Sequence, residues 1–182
     1  MSSFLSQTCF ELFSLPQQYA LEEAVLAARY RNLQRNVHPD RYASASDQER
    51  RMSMQQATRI NEAYEILGSP VKRGRYLLEL RGYSPDDHKQ STDDAAFLMQ
   101  QMELREQLEG VRQAPDPLAA LDRLAGEIRT QSGLLEQALA EALDSEPPNN
   151  EIALDIVLKM QFYVRLQAEL QEMEADLEDE LY

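Results

Sequence analysis

The chain has 182 residues, 43% of them hydrophobic and 27% charged, and a net charge of −14 at pH 7. That length allows one domain or two small ones, the composition is too apolar for a disordered tail, and no run approaches the roughly eighteen apolar residues a membrane span needs. The charge is uneven: residues 1–85 carry eleven Lys and Arg against nine Asp and Glu, or +2, and residues 86–182 carry seven against twenty-three, or −16, which speaks against a nucleic-acid partner for either half because phosphate binding needs a cationic surface.

The first residues, Met1 to Cys9, lack the basic start and apolar core of a secretory signal and the arginines of a mitochondrial presequence, so the cytoplasm is the expected compartment. Cys9 is alone, which leaves no internal disulfide and no cysteine cluster for zinc; no metal or other cofactor is expected. Phe10, Leu12, Phe13 and Leu15 before Pro16 form a short apolar clamp, one turn of helix. A first long helix is predicted over Leu21 to Val37, where Leu26, Tyr30, Leu33 and Val37 recur at offsets of four, three and four. Arg31 and Arg35 lie one turn apart on its other side with Arg29 near them, either a solvated cationic face or a docking surface for an acidic partner.

Pro39 biases His38 away from the α region, so the helix stops and His38-Pro39-Asp40-Arg41 forms a loop tip. Ser46 or Asp47 caps the next helix, with Glu49 and Arg50 in its first turns. Ala57, Ile60, Tyr64 and Leu67 repeat the apolar stripe up to the stop sequence Gly68-Ser69-Pro70. Two such helices joined by about ten residues fold back antiparallel and bury their stripes against each other. A further short helix from Val71 to Leu80 is predicted to bury Tyr76, Leu77 and Leu80, and Gly82 ends it. His38 and Asp40 also have the chemistry of a general base and its orienting carboxylate, but catalysis needs a third group and a desolvating cleft, which the sequence does not supply. The chain is therefore expected not to be an enzyme.

These residues resemble the J domain of DnaJ-type co-chaperones over positions 8 to 82. The likeness is carried by Phe10 to Phe13, Tyr30-Arg31, His38-Pro39-Asp40-Arg41, the run Ile60-Asn61-Glu62-Ala63-Tyr64-Glu65-Ile66-Leu67, Lys72-Arg73 and Tyr76. The resemblance implies that the first helix and the turn engage the ATPase domain of a DnaK-type chaperone through Tyr30, Arg31, Arg35, His38, Pro39 and Asp40. Asn32 stands where a basic residue is common in J domains.

The polar stretch from Tyr83 to Asp93 holds Pro85 and His88 and reads as the linker, giving a first domain over 1–83, a linker over 84–92 and a second domain over 93–182. That second domain reads as three helices with no strand pattern. The first opens at Asp93 or Asp94 and ends near Gln113. The second, Leu118 to Leu143, is predicted to bury Leu121, Ala125, Ile128, Leu135, Leu139 and Ala142. After the turn at Glu146-Pro147-Pro148-Asn149-Asn150, the third runs from Glu151 to about Glu180 with Ile152, Ile156, Tyr163, Leu166, Leu170, Met173 and Leu177 on one stripe. The expected architecture is all-α, a helical hairpin followed by an antiparallel three-helix bundle.

The first bundle helix has more apolar surface than a bundle uses. At ~100° per residue, Phe97, Leu104, Leu108 and Val111 gather into its core stripe. Leu98, Met99 and Met102 project on the opposite side together with Glu103 and Glu106. Large apolar side chains rimmed by carboxylates mark either an interaction site or a face packed on the first domain.

The run Thr92-Asp93-Asp94-Ala95-Ala96-Phe97-Leu98-Met99-Gln100-Gln101-Met102-Glu103-Leu104-Arg105-Glu106 closely resembles the HscB family of iron-sulfur cluster biogenesis, a likeness that extends over nearly the whole chain. It implies that the bundle binds an IscU-type scaffold and that the J domain recruits the HscA-type chaperone. Carried over by position, the scaffold contacts are Leu98, Met99, Met102, Glu103, Glu106 and Phe162, the last lying off the core stripe of its helix. Gly110 stands where the family often has another acid. The paired cysteines of some eukaryotic relatives are missing, which points to the bacterial type without zinc. The same features also suit a general J-protein with another client, or a plain helical adaptor in which His38-Pro39-Asp40 is only a turn.

Overall fold

The computed structural model describes residues 4–37, 46–83, 92 and 94–180. Every regular element among them is helical, and none of the described helices is long and apolar enough to cross a membrane. The chain divides into two compact units, Met1–Gly82 and Tyr83–Tyr182.

In the first unit a single 3-10 turn, Phe4–Ser6, precedes α1, Cys9–Leu12. Four residues hold a helical turn here because Thr8 and Glu11 form a capping box: the Glu11 N–H donates to the Thr8 hydroxyl at 3.1 Å and the Thr8 N–H to the Glu11 carboxylate at 2.8 Å. The chain then reverses at Ser14, φ 52, and enters α2, Glu23–Val37. Helix α3, Asp47–Gly68, opens on a second capping box, Ser46 with Glu49. The Ser46 side chain and then its backbone N–H bond the Glu49 carboxylate and hold its pKa below the usual carboxylate value.

The two long helices run antiparallel. Tyr30 stacks on Tyr64 with ring centroids 4.1 Å apart, the Tyr30 hydroxyl donates to Asn61 Oδ1 at 3.0 Å, and the Ser53 hydroxyl donates to the Val37 carbonyl at 2.7 Å. Later positions on α2 thus meet earlier ones on α3. Beneath them Phe10, Phe13, Tyr19, Leu26, Ile60, Ala63 and Leu67 are buried. At the end of α3 a single residue serves two helices: Ser69 terminates α3, and its hydroxyl accepts from the Lys72 N–H to cap α4, Pro70–Leu80, with Pro70 at the first helical position. Buried Arg73 reaches back to donate to the Leu67 carbonyl at 2.7 Å, satisfying one of the orphan acceptors of the last turn of α3, while its guanidinium lies 4.7 Å from the Tyr19 ring centroid. Of the three side chains expected to be buried on α4, Leu77 is fully so and Tyr76 is half-buried, its ring stacked on Phe10 with centroids 6.0 Å apart and its hydroxyl accepting the Cys9 N–H at 3.0 Å. Leu80 is exposed and Leu78 takes the core position, because Arg73, Gly74, Leu77 and Leu78 form the packed side of α4 and Leu80 falls about 90° round from its middle. Gly82, φ 81, then closes the unit.

In the second unit α5 spans Ala95–Gly110 and tightens into a 3-10 turn over Val111–Gln113. Helix α6 spans Pro117–Asp144 and α7 spans Asn150–Asp179, about 45 Å long at about 1.5 Å per residue. Asp94, Asp116 and Asn149 cap the three in turn. Helix α5 runs parallel to α7 and α6 runs antiparallel to both. The core is built from Phe97, Leu104, Leu108 and Val111 of α5 and its extension, Leu121, Leu124 and Ile128 of α6, and Phe162, Tyr163, Leu166, Leu170 and Leu177 of α7. Leu135 and Met173 are only partly buried against it, and Ala125 is half-buried. Two expectations fail here. Thr92, read as linker, is buried and hydrogen-bonded to Asp155, so the bundle begins there. Ile152, read as core, is 53% exposed: α5 starts level with Asp155 and Lys159, so the first turn of α7 lies beyond its reach.

Candidate functional site

The cationic face expected on α2 is partly there. Arg31 and Arg35 are exposed, one turn apart, and Arg35 bonds the Asn32 side chain. Arg29 is not with them. Its guanidinium turns inward to the carbonyls of Phe13, at 2.7 Å, and Ser14, groups that the reversal at Ser14 leaves without helical donors. Arg29 therefore fastens the N-terminal turn to α2. Tyr30 is half-buried in its stack on Tyr64, and Gln34 joins it on Asn61. His38, Pro39 and Asp40 lie outside the described residues, as does His88. The last described residue before them, Val37, is buried, and its carbonyl is held by Ser53.

On α5 the two faces separate as their phase requires. Phe97, Leu104 and Leu108 are between 1% and 7% exposed, whereas Leu98, Met99 and Met102 are 38%, 65% and 72% exposed. Glu103 and Glu106 are exposed beside them. Exposed methionines make an adaptable apolar surface, since the unbranched thioether fills irregular gaps in whatever meets it. Carboxylates around it favour a cationic rim on the partner.

Phe162 does not belong to this surface. It is 8% exposed and packs edge to face on Phe97 with centroids 5.8 Å apart, and on Tyr163 at 5.4 Å. The expectation that it stands off the core stripe fails because α7 lies against both α6 and α5 and so buries more than one stripe. Above Phe162 the Arg105 guanidinium, 5.9 Å from its ring centroid, turns toward Glu169 at 3.7 Å.

Ionic contacts along α7 fix α5 in place. At its start Lys159 Nζ meets Asp94 at 2.7 Å and Asp155 at 2.8 Å. Burial alone would lower the Lys159 pKa, but the Asp155 and Asp94 carboxylates raise it overall. Its hydrogen bond holds Asp94 below the usual carboxylate value, while Asp94 also accepts from the N–H groups of Ala96 and Phe97. At the far end Arg112 bridges Glu180 at 2.6 Å and Asp176 at 3.0 Å. Reading the sequence missed Lys159 and Arg105. Asp155 one turn before Lys159 was the available signal for the first, and nothing local marks the second.

Comparison with known proteins follows the two units. The DnaJ domain family matches residues 8–76, and the family described as the HSCB C-terminal oligomerisation domain matches residues 93–171. The chain is 40% identical over 166 residues to a co-chaperone protein HscB homolog of Shewanella loihica, covering 91% of this chain and 96% of that one. The structure is similar to that of chaperone HscB from Vibrio cholerae, with a TM-score of 0.83 at 37% identity over 94% of this chain and 99% of the other. It is also similar to the human co-chaperone protein HscB, with a TM-score of 0.84 at 27% identity over 93% and 83%.

Proposed function

Because the chain belongs to the HscB family of J-domain co-chaperones, with the role in iron-sulfur cluster biogenesis that goes with it, we propose that it binds an IscU-type scaffold through α5 and brings it to an HscA-type chaperone, whose ATPase it stimulates. The observation that carries this reading is the exposure of Leu98, Met99 and Met102 on a helix whose other side is fully packed. A bundle helix has no use for three large apolar side chains on that side unless a partner covers them.

The division of labour follows from the two surfaces. Glu103 and Glu106 orient the scaffold around the apolar centre formed by Leu98, Met99 and Met102. Arg31 and Arg35, continuing into His38, Pro39 and Asp40, engage the ATPase domain beside the Tyr30 stack. Carrying both in one chain raises the effective concentration of client and chaperone for each other. Burial of the three apolar side chains supplies on the order of 5 kcal/mol gross, much of which association costs offset, so an affinity on the order of micromolar is expected. Such binding releases its client readily.

Calorimetric titration of the whole chain with an IscU-type scaffold tests the first half. The double substitution Met99→Ala with Met102→Ala weakens binding about tenfold or more while stimulation of the chaperone by the J domain alone persists; unchanged binding would refute the assignment of this face. Asp40→Asn tests the second half: it abolishes ATPase stimulation with helicity intact, and retained stimulation would rule the J-domain role out.

A further inference from the structure

Near the turn end of the hairpin α3 exposes an apolar side chain that the reading above does not use. Met54 is 63% exposed, and helical phase fixes which flank it occupies. The Tyr30 hydroxyl and the Gln34 amide both donate to Asn61 Oδ1, so Asn61 marks the flank of α3 that faces Gln34. Met54, seven residues earlier, and Arg50, eleven earlier, each project within about 20° of Asn61 at ~100° per residue. On α2, Arg31 and Arg35 follow Tyr30 and Gln34 by one residue, which turns them outward on this same side. Antiparallel helices present matching flanks together, so the arginines of α2 and Met54 of α3 share one face of the hairpin.

Their level along the hairpin agrees. The Ser53–Val37 bond sets residue 53 against the end of α2, which puts Met54 opposite the last turn, where Arg35 lies. Met54 lines a shallow open depression with Asp47, Arg50 and Arg51. Among the described residues that line it the one carboxylate is Asp47, paired with Arg50, and with Arg51 these described neighbours of Met54 are cationic on balance.

We propose that Met54 is an apolar anchor of the chaperone-docking face, received by an acid-rimmed apolar hollow on the ATPase domain of the DnaK-type chaperone. This rests on the co-chaperone reading and deepens it, extending the docking surface from α2 onto α3. An apolar side chain at the centre of a polar rim is the arrangement of interface anchors. Continuity with Arg31 and Arg35, at the end of the hairpin that leads into His38, identifies the occupant as the partner those arginines meet. The acidic client surface on α5 has the opposite character and suits a different protein.

Met52 provides a matched control. It is 53% exposed, the same residue type, and two residues away, so it projects about 200° around the helix from Met54. In the full-length protein, the concentration giving half-maximal stimulation of ATP hydrolysis by an HscA-type chaperone rises about fivefold or more for Met54→Glu and by less for Met54→Ala, while Met54→Leu and Met52→Glu remain at the wild-type value. Scaffold titration and thermal midpoint stay unchanged in all four. Stimulation by Met54→Glu equal to wild type overturns the proposal, as does equal loss in Met52→Glu. A change confined to sedimentation would assign the face to a second copy of the chain instead. If the wild-type protein gives no stimulation, the co-chaperone reading itself fails, a result distinct from loss in Met54→Glu alone.

Discussion

The Ser53 hydroxyl donates to the Val37 carbonyl at 2.7 Å in a fully buried bond, joining α3 to the last residue of α2. A helix leaves its final carbonyls without internal donors, and this one is supplied by a side chain sixteen residues further along the chain. Ser53 is 2% exposed, so no water replaces it readily. The bond thereby fixes the last residue of α2 against α3.

Ser53→Ala should therefore do two things. Leaving a buried acceptor unpaired costs about 1–3 kcal/mol of stability, measurable by denaturant unfolding. Chaperone stimulation should fall beyond what the unfolded fraction explains, since the base of the turn loosens. A variant with normal stimulation and the same destabilisation would separate the bond from the turn.

Asp94 combines two roles that substitution separates. As N-cap it accepts from the N–H groups of Ala96 and Phe97, and as an anion it pairs with Lys159. Asparagine caps nearly as well, so Asp94→Asn removes only the charge and Asp94→Ala removes both. Amide exchange of Ala96 and Phe97, corrected for intrinsic rates, should be slowest in the wild type, faster in the Asn variant and fastest in the Ala variant. The pH dependence follows from the sign of the shift. Asp94 has a lowered pKa in the folded protein, so its stabilisation is present above the unfolded carboxylate value of about 4 and is lost as pH falls through the lower folded value. The difference between wild type and Asp94→Asn should be full at pH 7 and vanish in strong acid.

Phe162 is a test of burial against contact. Its position in the core predicts that Phe162→Ala destabilises the bundle by about 3–5 kcal/mol and weakens scaffold binding only through unfolding, whereas Phe162→Leu binds normally. Scaffold affinity that falls in the Leu variant with unchanged thermal midpoint would return Phe162 to the binding surface.

Much of this architecture was legible because it rests on short-range chemistry. Ser46, Asp94, Pro70 and Gly82 announce helix ends through capping, a fixed φ or a positive φ, and each does so within a few residues. The two faces of α5 were legible because one helix alternates cleanly between them. What failed depended on neighbours far along the chain. Arg29 is claimed by Phe13 and Ser14 across a chain reversal, Phe162 by Phe97 on a parallel helix, and Ile152 is exposed because α5 starts beyond its level. Periodicity specifies which residues share a side, but not how many sides have partners. Met54 escaped notice for the same reason: only the Tyr30–Asn61 contact reveals the flank to which it belongs.

The double duty of Ser69 limits how this chain can vary in length. Because one residue ends α3 and begins α4, with Pro70 already inside the second helix, an inserted residue there would rotate α4 by about 100° relative to α3 and carry Arg73 away from Leu67 and Tyr19. The connection over residues 145–149 separates those duties: Ser145 donates through its hydroxyl to the carbonyls of Ala142 and Pro147, and Asn149, four residues on, donates its N–H to Ala142 and caps α7. An inserted residue should accordingly cost less between α6 and α7, where the end of one helix and the cap of the next are different residues, than between α3 and α4, making the joint at Ser69 a fixed point of reading frame in the fold.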